Sequence, residues 1–337
     1  MTFRYFYEEC PELHVIAAGS LIEFSLGGIS FPVGRVRILD MAPMTFAEFL
    51  AATGAGSAAS MLLGETAPFP ESVNEMLMDR LRRYFWVGGM PEAVSAYVES
   101  GSLQEAFAVQ EDLLASIRQD FSKYAPHANI PCLEAAVASA AQGVGRQVKY
   151  ARLSRDFDGK TVKRAFDLLC KARILTKVRA ASPAGIPLEA HASEKVFKAI
   201  FLDVGLLQRM AGLRAGREME SGDLLGIYRG ALAEQFVGQE LLASQGGPLF
   251  YWSRSSRGSS AEVDYLLQHE GRIFPIEVKN GPAGRLKSLH MLLEKFPHCP
   301  AGIVLSGAPH AWMEERRILF LPLYFAGAPA RQVTFRT

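Results

Sequence analysis

The stretch Glu262-Val263-Asp264-Tyr265-Leu266-Leu267-Gln268-His269-Glu270-Gly271-Arg272-Ile273-Phe274-Pro275-Ile276-Glu277-Val278-Lys279 decides the reading of the fold. Residues 263–267 and 273–278 are apolar runs of strand length, and His269-Glu270-Gly271 between them supplies a hairpin turn. Residues two apart on a strand share a face, so Glu277 and Lys279 point the same way. The hairpin brings Asp264 alongside them. Two carboxylates and a backbone carbonyl make an oxygen donor set suited to Mg²⁺, with Asp264 and Glu277 as the metal ligands. The lysine can orient or deprotonate an attacking water and counter charge developing on a phosphate. A lone Glu-x-Lys is common at solvated strand ends. Here the preceding Asp, the thirteen-residue step from 264 to 277 and an upstream helical Glu234 single it out. The candidate catalytic set is therefore Glu234, Asp264, Glu277 and Lys279, with Glu234 either joining the metal shell or capping its helix.

Outward from the hairpin, the pattern predicts a strand over 195–201, a helix opening at Asp203 and a long helix over 229–244. Tyr251-Trp252 lies on a strand, 286–296 reads as a helix and 301–305 as a further strand. Alternation of helices and strands places this region in the α/β class.

Upstream of it lies a charge asymmetry. The chain of 337 residues has a formal net charge of only +1, yet residues 146–179 hold eleven basic residues against three acids. That excess of eight leaves the remaining chain at −7. Three helices are expected over 130–172, followed by a strand from 174 to 178 and a turn at 183–187. This order resembles a winged helix-turn-helix, and it makes Lys160, Lys163 and Arg164 candidate nucleic-acid contacts. The bland alternative is a solvated helix face. Asp158-Gly159-Lys160-Thr161 is not a phosphate-binding loop, because Ser154 stands where the loop needs its first glycine. It reads as a turn entering the basic helix.

Composition excludes several classes. At 49% hydrophobic and 21% charged residues, the chain is neither disordered nor collagenous. No run reaches the ~18 apolar residues of a membrane span, and the first ten residues lack a signal-peptide pattern. Cys10, Cys132, Cys170 and Cys299 are too far apart for zinc or redox spacing, so a cytoplasmic chain with reduced thiols is expected. The seven histidines show no ligand spacing.

Towards the start, residues 13–18 form a short apolar run that suits a buried parallel strand, and 36–39 a second. A short helix is expected over 45–52, a linker or lid loop over 53–70, and helices over 71–124 broken at Gly88-Gly89-Met90-Pro91. Tyr5, Phe6 and Tyr7 are expected in a core. One or two strands and a helix cannot close an α/β core, so the sheet here reads as a remnant.

Several stretches together resemble one family, the AAA-type ATP-binding proteins carrying a DUF4143 domain. They are Tyr5-Phe6-Tyr7, residues 15–21, Phe31-Pro32-Val33-Gly34-Arg35 and residues 43–50, then Gly88-Gly89-Met90-Pro91-Glu92 and Lys195-Val196-Phe197. Leu202-Asp203-Val204-Gly205-Leu206, Glu262-Val263-Asp264 and Glu277-Val278-Lys279 complete the set. The resemblance implies a nucleotide site at Ser20 and Arg35, with Walker segments upstream of this chain. It also implies a PD-(D/E)xK nuclease-like fold to which Asp264, Glu277 and Lys279 correspond, with Val263 where that motif usually has Pro. The chain then reads as a member truncated before the Walker motifs.

The expected architecture is a multidomain α/β protein. Residues 1–54 are a remnant of an AAA-type parallel sheet and 55–125 a helical lid. Residues 126–190 are a winged helix-turn-helix and 191–337 a restriction-endonuclease-like domain. The expected activity is that of a Mg²⁺-dependent nuclease associated with DNA, with no membrane partner and self-association left open. The alternatives are a non-catalytic module binding nucleic acid or protein, and an ATP-driven remodelling factor if an N-terminal ATP-binding part is supplied. ATP turnover is not expected from this chain alone.

Overall fold

A computed structural model describes residues 2–19, 34–35, 37–64, 68–124, 129–212, 226–256, 259–279 and 286–333. The decisive stretch forms the hairpin of β4 (Ser259–His269) and β5 (Arg272–Val278), paired from Tyr265↔Ile276 to His269↔Arg272. Its two turn residues, Glu270 (φ 47°) and Gly271 (φ 72°), are both left-handed. That backbone matches the twist of the flanking strands, and glycine adopts it at no steric cost.

Around this hairpin the chain runs α11 (Gly226–Gln245), β3 (Leu249–Ser256), β4, β5, α12 (Lys287–Lys295) and β6 (Gly302–Ser306). β3, β4 and β5 are antiparallel, and β6 lies parallel to β5. β8 (Ile318–Pro322) continues the sheet parallel to β6, and β7 (Ala311–Met313) closes that edge antiparallel. On the other side, β1 (Leu175–Ala181) runs parallel to β3 and pairs antiparallel with β2 (Ala192–Phe201). One eight-stranded mixed sheet results, in the order β2-β1-β3-β4-β5-β6-β8-β7.

The sheet is covered on both faces. Phe236, Val237 and Leu241 of α11 pack with Tyr265, Leu267, Phe274 and Ile276 in one core. Leu289, Leu292 and Leu293 of α12 pack with Val263, Leu266, Ile273 and Val304 in a second. Burial on both sides accounts for the uninterrupted apolar runs of β6 and β8. The register of β3 on β4 slips between Phe250↔Leu266 and Trp252↔Val263, so β4 carries one extra residue at this point. Val263 and Tyr265 consequently face different cores, which strict alternation would forbid. Asp264 sits in this bulge.

Upstream, α7 (Ile130–Gln142), α8 (Tyr150–Leu153) and α9 (Gly159–Lys171) precede the β1–β2 ribbon in the expected order. Asp158 caps α9, its Oδ1 accepting from the backbone N–H of Lys160 and Thr161 at 2.9 and 3.2 Å. The β1–β2 ribbon is not a free wing, because β1 joins the larger sheet through β3.

The helical region comprises α2 (Phe46–Ala52), α3 (Gly56–Gly64), α4 (Glu71–Val87), α5 (Pro91–Ser100) and α6 (Leu103–Tyr124). Thr45 and Glu48 close a capping box on α2, and Pro91 occupies the first turn of α5. α3 occupies the stretch expected as a linker; its Ala58, Ala59 and Leu62 are buried, and that apolar face is what makes it helical. Phe46 packs edge-on against Tyr84 and Phe236, so α2, α4 and α11 share one continuous core. A buried polar network fastens them. Asp203 caps α10 (Val204–Met210) through Gly205 and Leu206, and its Oδ2 accepts from Gly89 N–H at 2.7 Å. Gln239 of α11 donates to Tyr84 Oη at 2.8 Å and accepts from Val204 N–H at 2.9 Å. The expected boundary at 54 lies between helices α2 and α3 of this core, that at 125 falls outside the described residues, and that at 190 lies between the paired strands β1 and β2.

The expected sheet remnant near the start is not formed among the described residues. Residues 13–19 and 37–42 pair with no strand, and Ile16 is 96% exposed. With no neighbouring strand among the described residues to satisfy their backbone, these two segments join no sheet there. Tyr5 and Tyr7 of α1 (Thr2–Glu9) are exposed, not core.

Candidate active site

The expected set gathers at one end of the α11–β4–β5 layer. Phe274, Ile276 and Val278 turn towards the α11 core, so Glu277 and Lys279 lie on the opposite face of β5. Lys279 Nζ is 2.5 Å from Glu277 Oε1. Asp264, re-aimed by the bulge, accepts from the backbone N–H of Val278 at 2.8 Å through Oδ2. Its Oδ1 faces the other way, 3.5 Å from Lys198 Nζ. Glu234 projects from α11, whose close approach to the sheet is fixed by Tyr265 Oη donating to the Glu234 carbonyl at 2.8 Å. Gly238 is required there, since a Cβ would lie 2.4 Å from that hydroxyl.

Two members were not anticipated. Lys198, in the middle of β2, is only 1% exposed. Its Nζ lies 2.9 Å from Glu234 Oε1 and 2.5 Å from Glu262 Oε1, and it sits 5.0 Å from the centre of the Tyr251 ring. Burial pushes its pKa down, but Glu234, Asp264 and Glu262 more than offset this, so it stays charged. A buried ammonium is tolerable only with such partners. The signal for it was a lysine inside the apolar run Val196-Phe197-Lys198-Ala199-Ile200-Phe201. Glu262 was visible two residues before Asp264 but carried no partner until the fold brought Lys198 to it.

Four carboxylates (Glu234, Glu262, Asp264, Glu277) thus face two ammoniums (Lys198, Lys279), an acidic excess of two when all are ionised. Burial, then the Asp264 charge, push the Glu277 carboxyl up to about 7 against the pull of Lys279. The same two causes raise Glu234 to about 7, with Lys198 opposing. Glu277 Oε2 is buried and has no hydrogen-bond partner among the described residues. Among the described residues no group of three or more His, Cys, Asp or Glu side chains is placed to hold a metal. The available acidic pair is Asp264 and Glu277, whose charges act on one another.

Of the eleven basic residues in 146–179, three are taken up by ion pairs among the described residues. Lys177 binds Asp167 at 2.5 Å, Arg179 binds Glu189 and Glu194, and Arg173 binds Asp40 at 2.7 Å. Lys160, Lys163 and Arg164 are exposed on α9. The loop between α7 and α8 joins this basic region to the acidic cluster. Gln147 forms a β-bridge with Lys198, and its Nε2 donates to Glu262 Oε2 at 3.4 Å. Gly145 (φ 78°) lies against Glu234, where a Cβ would come within 2.6 Å of Oε2. Of the expected nucleotide site, Ser20 lies outside the described residues, and Arg35 pairs with Glu8 of α1 at 2.8 Å.

Among known families, residues 78–217 match the one described as a domain of unknown function, DUF8612. Residues 229–325 match DUF4143, also described as a domain of unknown function. The cluster draws on both matched stretches, with Gln147 and Lys198 from the first and the four carboxylates and Lys279 from the second. No curated protein and no solved structure matches the chain. No helix among the described residues is long and apolar enough to cross a membrane.

Proposed function

We propose that this chain carries a divalent-metal-dependent nuclease site that acts on DNA. The observation that carries the reading is Glu277 Oε2, a buried carboxylate oxygen without a partner among the described residues, beside the like-charged Asp264. An unpaired charged oxygen is costly to bury, and a cation offsets that cost. The helix–three strands–helix–strand order from α11 to β6, with Asp264 and Glu277 on adjacent strands, is the scaffold the PD-(D/E)xK resemblance implies.

Asp264 and Glu277 would hold Mg²⁺, which when bound supplies Lewis-acid polarisation of a phosphoryl oxygen and a lowered pKa of water. The chain's own residues do the rest. The Val278 N–H and Lys198 fix the two oxygens of Asp264 in orientation. Lys279, 27% exposed at the strand end, places an ammonium where a phosphate oxygen gains charge. The reaction is hydrolysis: water adds to phosphorus, one P–O ester bond breaks, and the leaving oxygen takes a proton. Glu234 is a positioning residue held on Lys198.

Incubation of the full chain with plasmid and branched DNA, with and without Mg²⁺ or Mn²⁺, tests this. Metal-dependent cleavage by the parent that Asp264→Asn, Glu277→Gln and Lys279→Ala each lose is the expected result. No cleavage of either DNA by the parent, or cleavage that survives Asp264→Asn, overturns it. A second reading, a non-catalytic binding module, draws on Lys198, which already neutralises much of the cluster from within.

A further inference from the structure

The acidic cluster and the basic region touch. The loop from Gly143 to Lys149 is pinned to β2 by the Val148 N–H donating to the Phe197 carbonyl at 2.8 Å and by the Gln147–Lys198 bridge. It is pinned to the cluster by Gln147 on Glu262 and by the close approach of Gly145 to Glu234. Arg146 and Lys149 flank Gln147 on this loop, both exposed and neither in an ion pair among the described residues. The backbone from Gln147 to Lys149 is extended, so Lys149, two residues on, shares the face of Gln147 that meets Glu262. Lys149 therefore stands on the side of the loop that meets the acidic cluster, and Arg146 adjoins Gln147 in the chain at the edge of that loop, both without an acidic partner among the described residues.

We infer that Arg146 and Lys149 form the phosphate-binding lip of the acidic site, so that one nucleic-acid backbone crosses from the basic helix α9 over this loop to Asp264 and Glu277. The ligand class is a phosphodiester backbone. Such a strand places one phosphate on the lip and its neighbour against the carboxylates, which repel it in the absence of a cation. The choice of ligand rests on the proposed nuclease reading, but the test does not depend on cleavage.

The measurement is anisotropy of a labelled DNA duplex with the full chain in EDTA, over a salt series. Arg146→Ala with Lys149→Ala should weaken binding several-fold and lower the slope of log K against log salt by about 0.9 for each phosphate no longer neutralised. Glu262→Gln, which keeps an acceptor for Gln147, should tighten binding, because it removes a negative charge facing the backbone. A purely structural role for the loop would not produce that gain. Loss of affinity in the double variant together with a gain in Glu262→Gln supports the inference, even if no DNA is cut. An unchanged salt slope in the double variant, or unchanged affinity in Glu262→Gln, overturns it, even if DNA is cut. Binding of an acidic protein at the lip with no DNA binding by the parent chain also overturns it.

Discussion

Individual buried carboxylates carry the sharpest consequences. Glu240 of α11 is 3% exposed, and its Oε1 accepts from the Phe46 N–H at 2.8 Å. Burial pushes its carboxyl up from an ordinary 4.5 to about 8, with the Phe46 hydrogen bond opposing. Between these two values the folded chain holds a proton that the unfolded chain has released. Stability therefore falls as pH rises through that window, by at most about 1.4 kcal/mol per pH unit from this group. Glu240→Gln keeps the acceptor and removes the titration. Its melting temperature should match the parent near pH 4, below the ordinary value of 4.5, and exceed it at pH 8, and parallel pH profiles would refute this. Asp203 matters instead through the hydrogen bonds it accepts. Asp203→Ala removes the cap of α10 and leaves the buried Gly89 N–H without its acceptor. Urea unfolding should show a loss of about 2–4 kcal/mol, whereas a loss below about 1 kcal/mol would mean that the network relaxes.

At the scale of elements, α9 and the β4–β5 hairpin behave differently towards the sequence from the parts around them. The hairpin was legible because its signals are local: two apolar runs, a turn needing left-handed backbone, and charges at one strand end. The basic helix and the turn entering it were legible for the same reason, while the capping role of Asp158 in that turn came only with the fold. The bulge at Asp264 was not, since it is a slip of register against β3 and has no mark in β4 itself. Lys198 was hidden because its meaning depends on three carboxylates that reach it from other elements. The short strand β8 lies beyond the expected elements although its apolar run from Ile318 to Leu321 is visible, and β7, three exposed residues long, is too short to show a strand period. For α9 the prediction concerns salt. Lys160→Ala, Lys163→Ala and Arg164→Ala together should weaken duplex DNA binding and flatten its salt dependence by about 0.9 per phosphate left without its cation. Unchanged binding would leave these charges as a solvated face.

Across the whole molecule, one mixed sheet joins the stretches that match two separate families, and the acidic cluster forms only where they meet. Helices α2 and α4 are fastened to α11 by Phe46, Tyr84 and Gln239, so the helical region and the site-bearing sheet share one core. The central proposal is that the acidic excess, and above all the Glu277 oxygen without a partner among the described residues, serves a divalent cation. Calorimetric titration of the full chain with Mn²⁺ tests it most directly, with a thermal melt of each variant to confirm folding. The expected result is saturable binding with a raised melting temperature, lost in Asp264→Asn and in Glu277→Gln but kept in Lys279→Ala. Absence of any Mn²⁺ heat or thermal shift in the parent, or equal binding in folded Glu277→Gln, would contradict the account.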